Sequence, residues 1–169
     1  MKLIIINGPW GVGKSTLAAQ LHADMPRSVH VEIDVLRKSI CGYDDSPEEN
    51  FRFVIRLASD IIQRCLEEGR DVIVDKMLRA NDLLDDIRQA GDRHGADVFE
   101  LMLWASLETV LERGSRRGYS AGVFSREKAI EAWEQSEKIM GERKDAVVVD
   151  TENKTPEKVY EIIKQKIAA

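Results

Sequence analysis

Leu3-Ile4-Ile5-Ile6-Asn7-Gly8-Pro9-Trp10-Gly11-Val12-Gly13-Lys14-Ser15-Thr16 carries an apolar, largely β-branched run directly into the spacing G-x-x-x-x-G-K-[ST]. The run reads as a strand. Leu17, Ala18 and Leu21 beyond it recur at helical spacing, so the glycines fall in a loop between a strand and a helix. In that setting the loop's backbone N–H groups can wrap a polyphosphate, the lysine can reach its outer phosphates, and the hydroxyl can bind Mg²⁺. Gly8, Gly11, Val12, Gly13, Lys14, Ser15 and Thr16 are therefore the expected nucleotide-binding residues, with Ser15 an expected Mg²⁺ ligand. The motif points to binding and leaves the reaction open, because kinases, switches and motors all use it.

Outward from the loop, short β-branched runs alternate with helical patterns. Leu3 to Asn7, Val29 to Ile33, Val72 to Asp75, Val98 to Leu103 and Ala146 to Val149 read as strands. Their apolar character is continuous rather than alternating, which suggests a parallel sheet buried on both faces. Ser46-Pro47-Glu48-Glu49 is a capping box with proline at the first helical position, and Gly69 closes the helix that follows. Asn81, Ser106 and Ser125 are expected to cap three more helices, and Thr155-Pro156 opens the last. The expected fold is a three-layer α/β domain around a five-stranded parallel sheet.

At 169 residues the chain is long enough to bury a core without staples, and a single domain over residues 1–169 is expected. No apolar run reaches membrane-spanning length, and Met1-Lys2 leads into the first strand with no room for a leader, so a cytoplasmic location without a membrane partner is expected. Cys41 and Cys65 fit neither a C-x-x-C pair nor a metal cluster and read as reduced thiols. The formal net charge of −5 weighs modestly against a long polyanionic partner. Oligomeric state is not legible.

In open parallel sheets, ligands sit beyond the carboxyl ends of the strands. That rule nominates Asp34, Asp75 and Asp150 beside the glycine loop. Asn153-Lys154-Thr155-Pro156 is superficially like the guanine-reading N-K-x-D, but proline stands where the aspartate must be, and Asp75-Lys76-Met77-Leu78 lacks the glycine of D-x-x-G, so a GTPase switch is disfavoured. Asp34 precedes Arg37 by one helical turn, which places a proton-accepting carboxylate beside a guanidinium able to hold an acceptor or a phosphate oxygen. An N-capping aspartate with a solvated arginine is the plainer alternative. Asp75 could hold Mg²⁺ or touch the acceptor, and whether it or Asp34 is the general base stays open.

Arg113, Arg116 and Arg117 lead into Gly118-Tyr119-Ser120-Ala121-Gly122 and read as a lid over about residues 113–124 whose arginines screen the triphosphate. The alternative is a basic last turn favoured by the helix dipole. His22, His30 and His94 show no ligand spacing and are expected at the surface or at helix ends. Trp104 and Trp133 are expected in the core, and Trp10 has no assigned role.

These residues resemble the small P-loop kinases related to polynucleotide 5′-kinases, gluconate and shikimate kinases and chloramphenicol phosphotransferases. The likeness runs nearly the whole chain and is most specific at Gly8 to Ser15, at Asp34-x-x-Arg37, and at Arg113-Gly114-Ser115-Arg116-Arg117-Gly118. The resemblance implies a nucleoside-monophosphate-kinase-like P-loop NTPase fold. It also implies ATP as donor, Asp34 as general base, Arg37 on the acceptor's phosphate, and Arg113 and Arg117 on the donor's phosphates, with Asp150-Thr151 near the base. The chain departs from polynucleotide kinases on the acceptor side, where Lys76-Met77-Leu78-Arg79 replaces a polar segment and Asp44, Asp45, Glu48 and Glu49 would repel a nucleic-acid backbone.

The expected function is thus an ATP- and Mg²⁺-dependent kinase that transfers the γ-phosphate to a hydroxyl of a small-molecule acceptor. The catalytic set is Asp34, Lys14, Arg37, Arg113 and Arg117, with Ser15 and Asp75 on the metal. A polynucleotide 5′-hydroxyl kinase and a regulatory ATPase without an acceptor are the two alternatives.

Overall fold

The computed structural model describes residues 1–42, 47–78, 80–118 and 125–168. Five strands, β1 (Lys2–Asn7), β2 (Val29–Glu32), β3 (Val72–Asp75), β4 (Asp97–Trp104) and β5 (Val147–Asp150), form one sheet in the order β2-β3-β1-β4-β5. Every pairing is parallel. The described helices are α1 (Lys14–Asp24), α2 (Ile33–Lys38), α3 (Pro47–Glu67), α4 (Asn81–Arg93), α5 (Leu107–Arg117), α6 (Arg126–Glu142) and α7 (Pro156–Ala168).

Strand alternation explains the three layers. Leu3 and Ile5 of β1 face one core with Val72 and Val74, against α3 and α4, whereas Ile4 and Ile6 face a second core with Ile73, against α1 and α7. Both faces of the central strand are fully covered, which is the burial that a continuous apolar run requires. The sheet order and direction are those of a nucleoside-monophosphate-kinase-like P-loop fold.

Local signals act largely as read. The Ser106 hydroxyl accepts from Thr109 N at 3.3 Å, Ser125 from Lys128 N at 3.2 Å and Thr155 from Lys158 N at 3.3 Å, capping α5, α6 and α7. Gly69, at φ 67°, lets the chain turn off the end of α3 while Arg70 N bonds back to Cys65 O at 3.0 Å. Two boundaries differ. Asn81 does not cap α4; Ala80 holds that position, and the Asn81 amide instead donates to Glu142 Oε2 of α6 at 2.5 Å. Ile33 leaves the strand and opens α2, because its fully buried side chain turns into the core shared with α3.

Parallel register brings the carboxyl ends to one rim, with Asp75 level with both Ile6 and Glu32, and Asp150 level with Trp104. Gly8 leaves β1 pressed against β4, and a Cβ there would lie 2.2 Å from Leu103 O. The buried Asn7 pins the same corner: its Oδ1 accepts from Gly8 N at 2.8 Å and Leu78 N at 2.9 Å, and its Nδ2 donates to Leu78 O at 3.2 Å. The loop after β1 and the loop after β3 are thereby held together.

Away from the rim, Arg143 joins three elements, donating to Glu100 Oε1 at 2.5 Å, Glu100 Oε2 at 2.8 Å and Asp85 Oδ1 at 2.7 Å. Glu100 is buried in β4 and its other cation, Arg88, stands 3.9 Å away, so removing Arg143 takes away its hydrogen-bonded partner. Arg143→Ala is expected to destabilise the fold by about 3–5 kcal/mol in urea denaturation. A loss under about 1 kcal/mol would show that the carboxylate is satisfied without the arginine.

Candidate active site

The glycine loop is shaped for a polyanion. Gly8, Gly11 and Gly13 take φ values of 137°, 80° and 97°, in the region that side chains disfavour, and they turn the chain from β1 into α1. No side chain caps α1 and no acidic residue stands in its first turn, so its N-terminal N–H groups and dipole face the loop's hollow unopposed by a carboxylate from that turn. Lys14 Nζ bonds to the carbonyls of Gly8 at 3.0 Å and Pro9 at 2.8 Å, which holds its positive charge over the loop.

Two clefts flank this loop and share Gly11, Gly13 and Thr16. One, of about 270 Å³, runs from the loop past Val12 and Gln20 to Arg113, Thr151 and Lys154. Arg113 crosses it, donating to Thr151 O at 2.8 Å, Thr151 Oγ1 at 3.1 Å and Gly11 O at 3.4 Å. Arg116 instead reaches solvent and pairs with Glu112 at 2.6 Å, a surface contact within α5. The Arg117 side chain and residues 119–124, where the sequence places the rest of a lid, lie outside the described residues.

The second cleft, of about 210 Å³, is walled by Lys14, Ser15, Asp34, Asp75, Lys76 and Trp10. Asp34 sits in the first turn of α2 and opens into this cleft, half-exposed, with Arg37 Nε 3.8 Å away on the same helical face. The Lys76 ammonium donates to Asp34 Oδ1, a short contact that ties the loop after β3 to α2. Trp10, unassigned from sequence, forms part of the same wall. Asp44 and Asp45 lie outside the described residues, while Glu48 and Glu49 are exposed in the first turn of α3.

Asp75 ends β3 beneath the loop, where its Oδ2 accepts from Ser15 Oγ at 2.7 Å and its Oδ1 from His30 Nε2 at 2.7 Å. Burial pushes this carboxyl up, but the hydrogen bonds from His30 and Ser15 and the charges of His30 and Lys14 outweigh it and hold it below the usual range. The bond to Asp75 likewise raises His30 above an ordinary imidazole, against the opposing effect of burial. His30 is thus not at the surface as its spacing suggested, because alternation along β2 turns it onto the sheet face beneath α1.

The oxygens of Ser15 and Asp75 form a hard donor pair fitted to Mg²⁺, which takes one or two protein ligands and completes its shell with phosphate and water. Among the described residues, no group of three or more His, Cys, Asp and Glu is placed to hold a metal by itself.

A family model described as an AAA domain matches residues 3–138. The chain belongs to this AAA-domain family. A search of curated proteins found no match. Among solved structures, this AAA-domain protein is similar to the tunicamycin resistance protein of Deinococcus radiodurans, at 24% identity and TM-score 0.72, covering 99% of this chain and 96% of that one. It is similar to a thymidylate kinase of Candida albicans, at 19% identity and TM-score 0.70, covering 98% and 90%. It is also similar to a gluconokinase of Sinorhizobium meliloti 1021, at 17% identity and TM-score 0.66, covering 99% and 91%. At these identities the likeness establishes the fold. No described helix of the AAA-domain protein is long and apolar enough to cross a membrane.

Three site-shaping residues escaped the sequence reading: Asn7, His30 and Glu152. Glu152 follows Thr151, and its carboxylate accepts from Ser106 N at 2.8 Å, Ser106 Oγ at 2.7 Å and Thr109 Oγ1 at 2.6 Å, fastening the start of α5 to the loop after β5. With Arg113 it clamps the wall of the cleft between Arg113 and Lys154 from two sides. The Thr109 hydroxyl first, then the Ser106 N–H and hydroxyl, pull its pKa down to about 2. A lowered acid stabilises the fold fully above its ordinary pKa and loses that contribution as pH falls through the folded value. The stability lost in Glu152→Gln should therefore shrink between about pH 6 and about pH 2.5 in urea denaturation; a constant difference would contradict the clamp.

Proposed function

We propose that the protein is an ATP- and Mg²⁺-dependent phosphotransferase whose acceptor is a hydroxyl of a small molecule. The observation that carries this reading is the placement of Asp34 in the same cleft as Lys14, Ser15 and Asp75, on the far side of the glycine loop from the cleft between Arg113 and Lys154. A triphosphate laid along the loop from Arg113 and Thr151 ends where Asp34 opens.

Each side chain then has a defined task. The loop N–H groups and Lys14 neutralise the outer phosphates, and Arg113 fixes the donor end through its bonds to Thr151. Ser15 and Asp75 hold the Mg²⁺, which when bound supplies charge that offsets the phosphate oxygens. Asp34 accepts the acceptor's hydroxyl proton as that oxygen forms its bond to the γ-phosphorus and the bond to the bridging oxygen breaks, releasing ADP. Between Asp34 and Asp75, the open cleft position of Asp34 favours it as the base, since both oxygens of Asp75 are already engaged. Lys76 and Arg37 orient the Asp34 carboxylate, and Arg37 can also meet an anionic group on the acceptor. Arg117 remains part of this proposal on its sequence position at the end of α5.

A small acceptor is favoured over a 5′-hydroxyl nucleic acid by the cleft's size of about 210 Å³ and by the formal net charge of −5.

Screening a library of alcohols, sugars, sugar acids, antibiotics and short 5′-OH oligonucleotides with γ-labelled ATP should label a small molecule. Asp34→Asn should reduce that transfer by about 10²-fold or more while ATP affinity stays within about twofold. Labelling of oligonucleotides alone would move the acceptor to nucleic acid, and equal loss of binding and transfer would remove Asp34 as the base.

A further inference from the structure

The face of β2 and β3 beneath α1 is apolar where it meets the helix, as Ile73 shows, yet position 30 on the same face holds a histidine that is only 11% exposed. Its ring does not fill space idly. His30 Nε2 donates to Asp75 Oδ1 at 2.7 Å, while Nδ1 stands 3.6 Å from Glu32 Oε1 and the His22 ring lies 6.1 Å away, centroid to centroid. A carboxylate oxygen only accepts, so Nε2 is the donor in this 2.7 Å contact. One carboxylate oxygen is thereby committed to His30, and the plane of the group is set so that the other, Oδ2, meets the Ser15 hydroxyl at 2.7 Å.

We propose that His30 is a positioning residue for the metal site: its Nε2–H fixes the Asp75 carboxylate so that Oδ2 and Ser15 Oγ together face the divalent cation that accompanies the triphosphate. This rests on the reading above that Ser15 and Asp75 hold Mg²⁺. Without the imidazole donor, the carboxylate can rotate about its terminal torsion, and its second oxygen lies buried without a partner. Outer-shell donors of this kind commonly change metal affinity without touching the metal. Nothing in the geometry requires His30 to touch nucleotide or acceptor, so its effect is specific to the cation.

The test uses the full chain with ADP, with Mn²⁺ as an electron paramagnetic resonance probe and ADP affinity measured separately in a chelator. His30→Leu fills the volume without a donor, and His30→Gln restores an amide donor near the Nε2 position. His30→Leu should weaken Mn²⁺ binding to the ADP complex by about 10-fold or more, with metal-free ADP affinity within about twofold of the parent and most of the loss recovered in His30→Gln. Mn²⁺ affinity within about twofold of the parent in His30→Leu, or an equal loss of metal-free ADP affinity, would overturn the positioning role. Should His30→Leu fail to fold, His30→Ala takes its place with the same two readouts. Ser15→Ala and Asp75→Asn in the same assay separate the layers. If both leave Mn²⁺ binding intact, the metal site itself is misread and the proposal falls with it; if both abolish binding while His30→Leu does not, only the role of His30 fails.

Discussion

Contact between the start of the glycine loop and the neighbouring strand governs the whole arrangement. Gly8 lies so close to β4 that any side chain would sit 2.2 Å from the Leu103 carbonyl oxygen. Only a residue without Cβ, free to take φ 137°, lets the chain pass there. Clefts open on the two sides of the loop, which contributes Gly11, Gly13 and Thr16 to both. Asn7 completes the constraint by binding Gly8 and Leu78 through one buried amide, so the loop after β3 cannot move independently.

Charge at the rim follows from the same geometry. Parallel strands end together, and their terminal side chains therefore converge within hydrogen-bond distance across large separations in sequence. Asp75 links Ser15 and His30, Asp34 links Lys76 and Arg37, and Glu152 links the ends of β5 and α5. Each carboxylate has at least one partner on a different element. The polar groups thus stabilise the relative positions of loops while leaving a cluster of lysine, hydroxyl and N–H groups directed at one hollow, which is how a preorganised electrostatic site is built.

How much of this could be read from sequence depends on the range of the interaction. The glycine loop, the caps at Ser106, Ser125 and Thr155, and the Asp34-Arg37 pair are local, set by spacings of three to seven residues, and were legible. The centre of the sheet was legible too, because β1 and β3, buried on both faces, read as apolar runs. His30 was not: its partner is 45 residues away, and a histidine in a β-branched run carries no local mark of the carboxylate waiting beside it. Lys76 and Glu152 are of the same kind, their roles set by register and crossover rather than by neighbours in the chain. Asn81 shows the converse, a good capping residue drawn into a tertiary bond with Glu142 instead. The acceptor's identity belongs wholly to this long-range class.

The central claim is that a triphosphate bound along the loop presents its last phosphate to Asp34. A crystal structure with Mg²⁺ and a non-hydrolysable ATP analogue measures this directly. The base should lie in the cleft between Arg113 and Lys154, and the γ-phosphate beside Lys14, facing the Asp34 carboxylate across a gap wide enough for one hydroxyl. A nucleotide bound in the opposite sense, or a γ-phosphate turned away from Asp34 behind a closed wall, would contradict it.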